Sequence, residues 1–114
     1  MNSPHTVVSA LERATNFDRA LDAAIANACG FTRVASTQQR WRGPSGQDYE
    51  PLPRFTYSLD AGKALALEIF PKLPVAVVWG EGENRAQIEG GPACYAATAP
   101  IALCLAVLRK MTDD

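Results

Sequence analysis

The chain has 114 residues, 47% hydrophobic and 20% charged, with a formal net charge of −1. That is the size of a single domain and too apolar a composition for a disordered chain, and a core can form without metal or disulfide staples. The near-neutral charge argues against a general nucleic-acid binder, and no apolar run reaches the ~20 residues of a membrane-spanning helix.

Residues 1–6 read as a loose tail, and residues 7–114 as a single α+β domain. Met1-Asn2-Ser3-Pro4-His5 has neither the basic region nor the apolar stretch of a signal peptide, so a cytoplasmic location is expected. A short helix is predicted from Val7 to Ala14, with Ser9 and Glu12 at capping-box spacing. Phe17, Ala20, Leu21, Ala24, Ile25 and Ala28 recur at steps of three and four, which predicts a second helix with one apolar face. Asn16 is its expected N-cap, Asp18 suits the first turn, and Gly30 suits a left-handed position beyond the end.

The period then changes. Phe31 to Val34 and Gln38 to Arg42 read as strands, with a turn at Gly43-Pro44-Ser45-Gly46. Tyr49 to Pro53 is expected to be extended, because each proline forces its predecessor out of the helical region. Arg54 to Tyr57 reads as another short strand. Ser58 is placed to cap a helix over Leu59 to Phe70. Val75 to Trp79 is a β-branched apolar run expected to be covered on both faces, and Arg85 to Glu89 returns after a turn at Gly80 to Asn84. Ala93 to Ala97 reads equally as a third strand or a loop. Thr98 caps the last helix, Ala99 to about Met111, with Pro100 tolerated in its first turn. Apolar residues surround most of its circumference, so it should be the most buried element. A three-layer α/β/α sandwich with a small antiparallel sheet fits this order.

Groups for catalysis are scarce. The only histidine is His5, in the expected tail, and a nucleophile–base pair needs a histidine held in place. Cys29, Cys94 and Cys104 have no metal-ligand spacing and read as buried thiols. Glu81 and Glu83 share a glycine-rich tip that looks solvated, and neither Gly80-Glu81-Gly82 nor Gly90-Gly91-Pro92 has the setting of a phosphate-binding turn. No metal, cofactor or catalytic residue is assigned. The region that invites binding contains Arg33, Arg40, Trp41 and Arg42, with Arg54 following. Residues 31–47 carry three arginines and no acid. Arg and Trp combine contact area with directional hydrogen bonds and are enriched at interface hot spots. The competing reading is a strand with Trp41 packed inward and Arg40 and Arg42 in solvent.

Several segments occur together in order: Leu11 to Thr15, Asp18 to Ala26 with Cys29-Gly30-Phe31, then Pro53 with Phe55 to Ala61, and Ala96 to Cys104. With its capped helix, Tyr-Ser-Leu-Asp helix start and Thr-x-Pro helix start, the chain resembles the phage ABA-sandwich domain family of small phage and prophage proteins. The resemblance spans residues 11–111 and is thinnest at 32–52 and 71–92. It implies an α/β/α sandwich and a phage setting, and it carries no catalytic residues. The leading expectation is a non-catalytic binding module that occludes a host protein, for example in a defence system. The alternatives are a binder of a nucleotide signal using Arg33, Arg40, Trp41 and Arg54, a self-associating structural protein joined through edge strands, and an enzyme built around Cys94 or Tyr95 with Glu89.

Overall fold

The computed structural model describes residues 3–34 and 39–112. The first helix, α1, spans Pro4–Arg13 and so begins earlier than expected. Part of the expected tail belongs to it. Ser3 is the N-cap, its hydroxyl accepting the Thr6 N–H at 3.3 Å, and Pro4 enters the first turn, where a missing N–H costs nothing. Val7 and Leu11 are its buried residues, one helical turn apart.

The second helix, α2, spans Arg19–Ala28. Its N-cap is Asp18 rather than Asn16, and the Asp18 carboxylate accepts the Ala20 N–H at 2.9 Å and the Leu21 N–H at 3.4 Å. Phe17 therefore lies outside the helix and is 52% exposed, so it does not join the apolar face. The far end closes as a Schellman motif. Gly30 has φ 90°, the Phe31 N–H reaches the Ala26 carbonyl at 2.9 Å, and Gly30 N–H reaches Asn27 at 3.4 Å.

Three two-residue strands follow, β1 (Thr32–Arg33), β2 (Trp41–Arg42) and β3 (Asp48–Tyr49), in an antiparallel meander. The expected strand start at Gln38 lies outside the described residues. The expected strand at Arg54 to Tyr57 is a turn instead, in which Tyr57 and Ser58 both donate to the Arg54 carbonyl at 3.0 and 2.9 Å. Helix α3 (Leu59–Ile69) starts at Ser58 as its capping pattern predicts.

The hairpin joins β4 (Val75–Gly80) to β5 (Glu83–Ile88), and β6 (Cys94–Tyr95) completes the second sheet, which resolves the Ala93 to Ala97 ambiguity in favour of a strand. The turn is tighter than expected. Glu81 and Gly82 alone form it, and Gly82 supplies the positive φ of 79° such a loop needs. Finally α4 spans Ala99–Thr112, with the Thr98 hydroxyl accepting the Ile101 N–H at 3.3 Å.

Every residue from Ile101 to Leu108 is buried, so α4 is the centre of the core as expected. It packs against β5 and β6 and also against α1 and α3. Gly62 lets α3 approach closely, since a Cβ there would meet Leu103 Cδ2 at 3.0 Å. Arg109 and Glu12 pair across α4 and α1. The result is a compact α+β fold with small antiparallel sheets, consistent with a sandwich. Its second sheet is covered on one face only. Val77, Ala86, Ile88 and Cys94 face α4, whereas Val78 and Tyr95 on the opposite face are exposed. The expectation that β4 is covered on both faces is not met, because no described helix lies over that outer face. No described helix is long and apolar enough to cross a membrane.

Candidate functional site

The sequence-derived cluster divides in two. Trp41 is 4% exposed and packs inward. Its cross-strand partner is Arg33, whose guanidinium sits 4.7 Å from the ring centroid, a cation–π contact. Arg40 and Arg42 are paired with carboxylates that follow in sequence. Arg40 Nε meets Glu50 Oε1 at 3.2 Å, and Arg42 grips Asp48 in a two-point contact at 2.8 and 3.4 Å. The Arg42 hydrogen bond holds the Asp48 carboxyl below the usual carboxylate range. The absence of acids in residues 31–47 is therefore compensated by residues 48–50 across the β2–β3 pair.

Arg33, Trp41 and Arg54 come together in a shallow depression of about 360 Å³, which Arg19 and Leu52 also line. A second depression of about 520 Å³ adjoins it and shares Arg19 and Arg54. Its rim carries Phe17 and Tyr57, packed edge to face with centroids 4.9 Å apart, and both are more than half exposed. Arg54 is exposed and has no carboxylate partner among the described residues. The sequence reading missed Arg19, Phe17 and Tyr57. Phe17 carried a helical-spacing signal that placed it in the core, and Arg19 carried none.

A buried polar network supports this surface from below. Asp22 is 2% exposed, although the helical pattern placed it off the apolar face. Its Oδ1 accepts the Thr56 N–H at 2.8 Å and the Thr56 hydroxyl at 2.7 Å, and its Oδ2 pairs with Arg19 at 3.0 Å. Arg19 also donates to the Leu52 and Pro53 carbonyls at 2.6 and 3.1 Å. A buried carboxylate survives only when its lone pairs are satisfied, and here they are. The network fastens α2 to residues 52–56 and fixes where Arg54 and Tyr57 emerge.

Two of the residues named for an enzyme, Cys94 and Tyr95, turn to opposite faces of β6. Cys94 faces inward with its thiol 3.6 Å from the Pro92 carbonyl, while Tyr95, the next strand residue, points to the exposed face. Burial raises the Cys94 pKa, opposing the thiolate form. Among the described residues, no three His, Cys, Asp or Glu side chains converge as a metal site would require. Comparison with protein-family models, curated proteins and solved structures finds no match.

Proposed function

We propose that this chain is a non-catalytic binding module that engages a partner protein through the surface around Arg54. The observation that carries this reading is Arg54 itself. It is exposed, without a carboxylate partner among the described residues, and shared by two adjoining depressions beside the Phe17–Tyr57 pair. An arginine next to rigid aromatics offers charge-assisted hydrogen bonds and apolar area together, the combination that interface hot spots favour. The complementary partner presents an acidic group beside an apolar patch. In line with the resemblance to phage ABA-sandwich proteins, we place that partner in a bacterial host and the module's action in occluding it.

Affinity capture from host lysate tests the reading with wild type, Arg54→Glu and Tyr57→Ala run in parallel. A protein retained by wild type and lost with both variants supports it. Retention of nothing at high bait concentration, or capture indifferent to both variants, overturns it. The nucleotide-signal alternative loses its stacking platform, because the Trp41 ring is buried under Arg33. A nucleotide that raises the melting temperature of wild type but not of Arg54→Glu would replace the protein partner with a small ligand.

A further inference from the structure

We propose that β4 pairs antiparallel with β4 of a second copy of this chain, in a two-fold arrangement centred on Val77. The inference is independent of the Arg54 surface. β4 is the terminal strand of the order β4-β5-β6, so one of its edges faces away from the sheet. The phase of the ladder shows which groups lie on that edge. The Pro74 carbonyl accepts the Glu89 N–H at 3.0 Å, and hydrogen-bonded and non-bonded pairs alternate along an antiparallel ladder. Ala76, Val78 and Gly80 thus turn their polar backbone groups toward β5. Val75, Val77 and Trp79 turn theirs outward.

The side chains of the same residues are covered only in part, Val75 and Val77 being half-buried and Trp79 exposed. Val75, Val77 and Trp79 line a groove of about 420 Å³ against Leu67 of α3. Trp79 is 64% exposed and Leu67 62%. The strand carries no lysine, proline or bulge, the features that usually protect an edge from pairing. An added strand would satisfy the outward backbone groups and cover the groove in one step.

Symmetry and charge select a second copy as that strand. A two-fold pairing centred on Val77 sets Val77 against its own copy and Val75 against Trp79, so every outward-turned residue of β4 meets an outward-turned residue. Lys72 precedes β4, and Glu81 and Glu83 lie at its far end. The antiparallel arrangement brings the Lys72 end of each β4 toward the Glu81–Glu83 turn of the other copy. The complementarity occurs twice per dimer.

Sedimentation of the full chain over a concentration series, with hydrogen exchange read at single amides, tests the proposal. The expected result is a dimer whose formation protects the Val77 and Trp79 amides. Val77→Pro removes an outward N–H and no β4–β5 bond, so it should weaken dimerisation about tenfold or more. Lys72→Glu and Glu81→Lys should each weaken it about fivefold at low salt, and the double variant should recover most of the loss. The charge variants decide the matter if Val77→Pro fails to fold. A chain that stays monomeric at every concentration overturns the proposal. So does a dimer that leaves the Val77 and Trp79 amides unprotected, or an edge that pairs only with an added extended peptide.

Discussion

The sheet β1-β2-β3 and the sheet β4-β5-β6 are both antiparallel meanders, yet their strands differ threefold in length, two residues in β1 to β3 against six in β4 and β5. The longer hairpin lays Val77, Ala86 and Ile88 on α4, and burial of that face holds it. The shorter sheet has too few ladder bonds to hold itself and relies more on polar side chains. Glu68 of α3 is the main fastener. Its carboxylate accepts the Ser45 N–H at 2.9 Å, the Ser45 hydroxyl at 2.8 Å and the Tyr49 hydroxyl. It lies flush against Gly43, where a Cβ would fall 2.6 Å from it. Short strands are therefore no sign of a loose region when a side chain from another element supplies what the ladder lacks.

Four substitutions would break or sharpen this contrast. Ile88→Ala on the apolar side should cost the most, about 3 kcal/mol in denaturant unfolding, through lost burial and a cavity against α4. Asp22→Ala should cost about 2 kcal/mol, because the Thr56 N–H and hydroxyl lose a buried acceptor. If Asp22→Ala proves as mild as a surface change, the polar half is held by something other than this network. Glu68→Ala should cost about 1 kcal/mol and selectively speed hydrogen exchange in β2 and β3, leaving β4 and β5 unchanged. The smallest effect concerns pH. Asp48 has a lowered folded pKa, so its contribution to stability is present above the unfolded carboxylate pKa and lost as pH falls through the folded value. Arg42→Ala should return the Asp48 titration, followed by NMR, to the ordinary carboxylate range.

The same contrast explains what was legible in the sequence. Helices α3 and α4 and the β4–β5 hairpin are encoded locally, by Ser58 and Thr98 caps, a 3.6-residue period and a β-branched run. Each signal lies inside the element it specifies. The polar half is encoded at a distance. Asp22 is buried because Thr56, 34 positions away, donates to it, and no window around Asp22 contains that information. The pairing of Arg42 with Asp48 depends on the β2–β3 register, which two-residue strands do not announce. Phe17 matched the helical period by coincidence and left the helix when Asp18 capped it. Of the expected binding cluster, Arg54 is exposed, Arg33 lies over the Trp41 ring, and Arg40 and Arg42 are engaged by acids just outside the arginine-rich stretch.

Cys104 extends these observations to kinetics. Its thiol is fully buried in α4, donates to the Phe55 carbonyl at 3.2 Å, and is held well above the ordinary thiol pKa by desolvation. Alkylating reagents attack the thiolate, so this sulfur cannot react while α4 stays enclosed. With Cys29 and Cys94 replaced by alanine or serine, Cys104 would become a one-atom clock whose labelling rate counts the openings of the core.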